Sequence, residues 1–290
     1  MGRRAPSGLT GPMTTDVTTK PILVLGGTGT VGRRVVAGLA ARGVPVRVGS
    51  RSGRPPFDWT DDTTWDPVLE GVRAAFLVYY PDLVAPGSVE TIASFVDRAM
   101  ARGVRRLVLL SGRGEEQALR AEKVVTESGA TWTVVRSAFF AQNFSEGNFA
   151  DSTRSGVLAL PAGDVEEPFI DVDDIADVVV AALTEPGHED RLYEVTGPEL
   201  LTFAEAVERI ADATGRPLRY QQISVPEFAE AMSAAGVPDE VAEVVVEVFS
   251  TVLDGRNAHL ADGVQRALGR RPRDLAGFAR RAAAAGAWTA

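Results

Sequence analysis

The chain contains no cysteine among its 290 residues. That absence removes disulfides, a thiol nucleophile and thiolate metal sites together. It agrees with a reducing cytoplasm, the expected compartment. Histidine is almost as scarce. His188 and His259 stand alone in loop-like stretches without a matching cluster, so neither a metal site nor a histidine base is expected. There are two lysines, Lys20 and Lys123. A Tyr-x-x-x-Lys proton-transfer pair would need tyrosine at position 119, which is Leu119. No apolar run is long enough to cross a bilayer. The 30 basic residues are outnumbered by 39 acidic ones, and the net charge of -9 argues against a nucleic-acid surface. The expected partner is a small molecule, with no nucleic acid and no membrane. The sequence is silent on oligomeric state, and a homodimer stays open.

What is present suits a globular protein. Hydrophobic residues make up 45% and charged ones 24%, enough to bury a sizeable core in one large domain or a domain with a smaller lobe. Residues 1–20 are rich in Gly, Pro, Thr and Ser and read as a disordered leader. Arg3 and Arg4 begin like a signal peptide but no hydrophobic segment follows, and Met13 is an alternative start.

The most informative stretch is Ile22-Leu23-Val24-Leu25-Gly26-Gly27-Thr28-Gly29-Thr30-Val31-Gly32. A short apolar run, as in a strand buried on both faces, enters a glycine cluster and then a helical pattern. In a strand–turn–helix junction Gly26 allows the tight turn. Gly29 lets backbone approach a pyrophosphate, and Gly32 lets the helix pack against the strand. The helix beginning near Val31 aims its N–H groups at the phosphates, flanked by Thr28 and Thr30. A glycine-rich turn without a ligand is the bland alternative, and the flanking strand and helix weigh against it.

Strands and helices then alternate. Strands are expected at Val44–Gly49, Ala74–Tyr79, Arg106–Leu110 and Thr131–Val135, with a short one ending near Asp58-Trp59. Further strands read at Gly156–Leu160, Arg191–Thr196 and Arg219–Ser224. Thr202 and Glu205 form a capping box for a helix to Thr214. The face Val241, Val244, Val245, Val248, Phe249 and Val252 must cover something apolar. The pattern predicts an α/β Rossmann fold, a doubly wound parallel sheet, with a smaller, mostly helical C-terminal substrate lobe. The expected core spans 21–155, and the lobe 156–290 interleaves with the last core strands and helices.

The end of the second strand meets the adenosine ribose in such folds, where an acid selects NAD and an arginine accommodates the phosphate of NADP. No acid lies between Val46 and Gly53, but Arg51 does, so NADP is the expected cofactor. Asp58 and Trp59 are candidates to flank the adenine, Trp59 being equally readable as core. Tyr79, Tyr80 and Ser111 fall at strand ends, where ligands bind in open α/β sheets. Asp171, Asp173 and Asp174 precede a helix and read as structural. The pairs Arg105-Arg106, Arg270-Arg271 and Arg280-Arg281 read as solvated faces.

The glycine turn, Arg51, Ser128-Gly129, Trp132-Thr133-Val134-Val135-Arg136, Phe140 and Asn143 together resemble the NmrA-like atypical short-chain dehydrogenases. Phe169-Ile170-Asp171-Val172-Asp173-Asp174-Ile175-Ala176 is similar to a later signature of that family, and the resemblance runs from Pro21 to the C-terminus. It implies a relation to NADPH-dependent quinone and triphenylmethane reductases and to ergot-alkaloid dehydrogenases. Ser111-Gly112-Arg113-Gly114-Glu115 and Gln142-Asn143-Phe144 look closest to the last group. The family also includes NmrA, a dinucleotide-binding regulator. Some members place His or Tyr where this chain has Ala118 or Leu119. The expected activity is hydride transfer from NADPH to a small conjugated or iminium-type electrophile in secondary metabolism. A non-catalytic NADP sensor and an isomerase or dehydratase are the alternatives. An iminium needs no proton at the hydride step, so orientation is the expected main catalytic contribution, with Tyr80 and Ser111 as hydrogen-bond donors. Tyr80, Phe139, Phe140, Asn143 and Phe144, roofed by Val245, are the expected substrate wall.

Overall fold

The computed structural model describes residues 19–147, 149–247, 249 and 252–289, without the side chains of Glu240 and Val244. The leader up to residue 18, Met13, and Val248 as a roof residue lie outside the described residues, as does the side chain of Val244.

One six-stranded sheet organises the molecule. Its strands are β1 (Ile22–Leu25), β2 (Val46–Gly49), β3 (Ala74–Leu77), β4 (Arg106–Gly112), β5 (Thr131–Ser137) and β8 (Arg191–Val195), in the order β2-β1-β3-β4-β5-β8. Every pairing is parallel. In β1 the side chains alternate strictly between faces. Ile22 and Val24 enter one apolar cluster while Leu23 and Leu25 enter the other. The first face is covered by α1 (Thr30–Ala41) and α6 (Val172–Thr184). The second is covered by α2 (Trp65–Leu69), α3 (Ser88–Ala101) and α4 (Glu116–Glu127). This is the doubly wound Rossmann arrangement expected from the alternation of strand and helix patterns.

No strand forms near Asp58-Trp59, contrary to expectation. Asp58 makes only an isolated bridge with Asp61. The local chemistry favours turns: the Asp58 carboxylate accepts from Thr60 N at 2.9 Å, and that of Asp61 from Thr63 N at 3.1 Å. The sheet therefore ends at β2.

A second apolar cluster group sits beyond the carboxyl edge of the sheet. It gathers α5 (Ala150–Ser155), α7 (Phe203–Thr214), α8 (Val225–Ala234), α9 (Asp239–Glu247) and α11 (Leu275–Ala284) around a phenylalanine-rich core. Two small sheets brace it, β6 (Val157–Leu160) with β10 (Arg219–Gln222), and β7 (Glu166–Glu167) with β9 (Leu201–Thr202). The capping box of α7 is present: Thr202 Oγ1 accepts from Glu205 N at 3.1 Å and Glu205 Oε2 accepts from Thr202 N at 2.8 Å. The chain leaves this region for α6 and β8. It returns to the sheet once more in α10 (Gly263–Leu268), whose Val264 packs in the first cluster.

In each arginine pair one member is exposed as expected, Arg105, Arg271 and Arg280, but the other is not a free solvated charge. Arg106 donates to Ala182 O at 3.0 Å and to Glu189 at 2.6 Å, Arg270 pairs with Asp174 and Asp177, and Arg281 with Asp171. Asp174 and Asp171 are almost fully buried, and a buried carboxylate needs a cation or donors to offset its lost hydration. Asp171 also caps α6, accepting from Asp173 N at 2.9 Å.

Candidate functional site

The turn between β1 and α1 separates two uses of glycine. Gly26 has φ +59°, and a Cβ there would lie 2.5 Å from Val78 Cγ1. A Cβ on Gly32 would overlap the Gly26 carbonyl. Both are needed by the fold itself. Gly29 is different: its backbone is extended, with φ -80° and ψ -179°, and a Cβ there would meet only Gly26 O, at 3.3 Å. The missing side chain leaves open space above the first turn of α1. That helix end has no side-chain cap and no acid in its first turn, so its N–H groups face outward. Thr28 is exposed and Thr30 half-buried beside it, while Val31 is buried and offers only backbone. An anionic pyrophosphate fits this cradle.

Arg51 stands exposed past β2, and among the described residues no carboxylate forms an ion pair with it. Its Cζ lies 5.9 Å from the Tyr80 ring centroid. The nearby Asp58 carboxyl sits below the usual range, held there by the Thr60 N–H and hydroxyl and by the Arg51 charge. Trp59 takes the second of its two expected places, in the core. Its indole N–H donates to Val78 O at 3.0 Å, and its ring packs on Phe57, Trp65 and Phe95 in the core. Tyr79, half-buried, lies tilted against that indole with ring centroids 5.0 Å apart.

The ends of β3, β4 and β5 open into a cavity of about 380 Å³. Leu110, Ser111, Ser137 and Ala138 form its floor, and Phe139, Phe140, Asn143 and Phe149 one wall. Val241, Val245, Phe249 and Val252 complete the lining, with the Phe249 ring in contact with Phe139 and Phe149. Tyr80 lies at the rim, 64% exposed. Thus Tyr80, Phe139, Phe140, Asn143 and Val245 come together, but Phe144 does not. It is fully buried against Phe149, Phe169 and Phe203, because its backbone turn directs the ring away from the sheet edge into the apolar core. Ser111 lines the cavity but is unavailable as a donor, because its hydroxyl donates to Glu122 Oε1 at 2.6 Å.

Two sets of carboxylates lie under and around this floor. The first is fully partnered. Arg136 donates to Glu122 Oε1 at 2.9 Å and approaches Glu194 at 3.7 Å. Arg113, 3% exposed, donates to Glu194 Oε1 at 2.9 Å and to Asn257 O at 3.1 Å. His259 joins through Nε2, 2.8 Å from Arg113 Nη2 and 3.1 Å from Glu194 Oε1. His259 is therefore not alone, and neither is His188, whose Nδ1 lies 2.9 Å from the Tyr193 hydroxyl. The second set forms no ion pair among the described residues, although the Arg113 guanidinium also lines the cavity and acts against the rise in Glu167. Asp82, Glu115 and Glu167 all line the cavity. Burial, with the charges of Asp82 and Glu122, pushes the Glu115 carboxyl up to about 8. Burial raises Asp82 as well, and pushes Glu167 up to about 7. One oxygen of Glu115 and one of Glu167 are inaccessible and lack a hydrogen-bond partner.

Sequence reasoning missed Asp82, Glu115 and Glu167 as site residues. The available signal was position: Asp82 and Glu115 each follow a strand end by a few residues, as Tyr80 and Ser111 do. Glu167 carries no such signal, since it reaches the cavity from a two-residue strand of the lobe. Among the described residues, no group of three His, Asp or Glu side chains is arranged to hold a metal ion.

The sequence model of the NmrA-like family matches residues 116–277. The NAD(P)H azoreductase of Xenophilus azovorans is 32% identical over 286 residues, covering 91% of this chain and 98% of that protein. The prestalk A differentiation protein A of Dictyostelium discoideum is 30% identical, covering 92% and 95% respectively. Among solved structures, the NADPH complex of an NADPH-dependent quinone oxidoreductase from Escherichia coli superposes with a TM-score of 0.75. At 21% identity it covers 90% of this chain and 99% of its own. No described helix is long and apolar enough to cross a membrane.

Proposed function

The chain belongs to the NmrA-like family, and from that premise we propose that it is an NADPH-dependent reductase. Its acceptor would be a small, flat, conjugated or iminium-type electrophile. The observation that carries the reading is the phenylalanine- and valine-walled cavity, set at the strand ends next to the glycine cradle. An azoreductase relative supports reductive chemistry on a conjugated acceptor. The space over Gly29 and the open end of α1 suit a pyrophosphate, and Arg51 suits the phosphate that distinguishes NADPH from NADH. When bound, the cofactor supplies the hydride.

The chain's own residues position and exclude. Phe139, Phe140 and Phe149 offer flat apolar surfaces for a planar acceptor, and Asn143 offers the amide that can fix its orientation. Val245 and Phe249 extend the apolar lining and displace water. Such positioning supplies much of the rate enhancement in reactions that need only two partners held face to face.

The test is stereospecifically 4-deuterated NADPH incubated with a set of quinones, enones, azo compounds and iminium salts. Deuterium appearing in a product supports the reading. Cofactor that stays unconsumed with every class overturns it. In parallel, Gly29→Val should fold normally by circular dichroism yet fail to bind NADPH, since its side chain fills the cradle.

A further inference from the structure

We propose that Asp82 and Glu115 form a carboxyl pair that carries one proton in the resting protein and delivers it to the reduced acceptor. The inference rests on the reductase reading. It adds a dedicated acid to a chain that lacks the tyrosine–lysine pair and whose Ser111 hydroxyl is committed to Glu122.

The geometry builds the pair from two strand ends. Glu115 follows β4 and stands at the N-cap of α4. Its carboxyl folds back over Gly112, so closely that a Cβ on that glycine would strike it. Glu115 Oε2 is shielded from water and has no partner. Asp82 arrives after β3, with its carboxylate anchored by the Val84 N–H at 3.1 Å. Both line the cavity. Two half-buried carboxyls lining one cavity resist ionising together near neutral pH, because each charge raises the cost of the other. The direction of both titrations agrees: burial comes first and mutual repulsion adds to it on Glu115.

The surrounding charges leave the pair uncompensated. Glu122 is held by Arg136. Arg113 is consumed by Glu194, His259 and the Asn257 carbonyl. Arg256, close to Gly114, is paired with Asp254 and donates to the Gly114 carbonyl at 3.0 Å. Glu167 faces the cavity from the lobe with its own unpartnered oxygen. Tyr80 is at the exposed rim, where water competes for its hydroxyl.

For a neutral enone the step balances as follows. The bound cofactor would supply a hydride, with its two electrons, to the β-carbon; the C=C π pair then becomes the new Cα=C bond and the C=O π pair goes to the oxygen of the enolate. The Glu115 O–H bond then breaks, its proton passes to the enolate, and the carboxylate takes a replacement proton from solvent. NADP⁺ and the saturated ketone leave. An iminium acceptor needs no such proton.

The experiment uses the full chain with 2-cyclohexen-1-one as neutral acceptor and N-methyl-3,4-dihydroisoquinolinium as cationic acceptor. Glu115→Gln should slow enone reduction by roughly 10²-fold or more, with iminium reduction changed only a few-fold. The wild-type enone rate should fall on an alkaline limb near pH 8, and the variant should lose that limb. Infrared pH-difference spectra of the protein without cofactor give the independent readout. A protonated-carboxyl band present at pH 7 should titrate away near pH 8 and be missing in Glu115→Gln. If that variant does not fold, Asp82→Asn should lower the midpoint of the band, and an unmoved midpoint overturns the pair. A band that persists in Glu115→Gln, or that vanishes only in Glu167→Gln, overturns the proposal. So does an equal loss with both acceptors. Wild-type reduction of both acceptors with no band removes the pair and leaves the reductase reading standing. If neither these two acceptors nor any quinone or azo compound is reduced, both readings fall.

Discussion

Two groups of buried charge lie within a few residues of each other in this molecule, and they behave oppositely. Behind β4, β5 and β8, the Glu122–Arg136–Glu194–Arg113–His259 chain of contacts leaves no carboxylate without a cation. Asp82, Glu115 and Glu167, which line the cavity at the same strand ends, form no ion pair among the described residues, and Arg113 reaches Glu167 only through its field. The first group is what a buried ionic structure requires, since an ion out of water is tolerated only with partners. The second costs stability when ionised, so its proton is retained. Groups displaced in this way cluster at functional sites. The comparison separates charge that holds the strand ends in place from charge that faces the reactants.

The sharpest way to break the contrast is to orphan a member of the partnered group. Arg113→Ala leaves Glu194, His259 and the Asn257 carbonyl without their shared donor. Loss of about 3–5 kcal/mol of stability is expected, read from chemical denaturation at pH 7. An unfolding midpoint equal to wild type would mean the network is not a stabilising unit.

Glu115→Gln should act in the other direction, and only at higher pH. The native carboxyl keeps its proton up to about pH 8, whereas in the unfolded chain it ionises at its ordinary value. Between those points the native state binds more protons, so wild-type stability falls as pH rises. The neutral amide escapes that loss. By pH 9 the variant should gain on the order of 2 kcal/mol relative to wild type, compared with pH 5. Parallel stability–pH curves for the two proteins would refute it.

Arg51 is the exposed counterpart, a charge with no ion pair among the described residues, whose side chain touches only the rim through the exposed Tyr80 ring. Arg51→Ala should leave the thermal midpoint unchanged and weaken NADPH binding roughly tenfold, the cost of one charge-assisted phosphate contact. NADH affinity should not move. An equal loss for both cofactors would place the distinguishing phosphate elsewhere.

How legible these features are in the sequence depends on their range. The strand–turn–helix around Gly26, Gly29 and Gly32 and the Thr202–Glu205 capping box act within a few residues, so their chemistry is written in consecutive letters. The misread strand near Asp58 shows the limit even there, because turn-forming side chains won over a weak strand pattern. Phe139 and Phe144 look alike in the sequence, yet one lines the cavity and the other is sealed in the lobe. A short helical turn decides between them.

By itself, then, the sequence determined the parallel α/β architecture, the glycine cradle and the arginine past the second strand. Each follows from local periodicity or from a backbone demand only glycine meets. Tertiary structure alone decided which charges are paired. Arg113 finds Glu194 81 positions away and the Asn257 carbonyl 144 positions away. Asp82 and Glu115 reach one cavity because the strands they follow, β3 and β4, are neighbours in one sheet. Ionisation is set by the desolvation and neighbouring charge that the folded chain imposes at each site, and these are properties of the assembled interior.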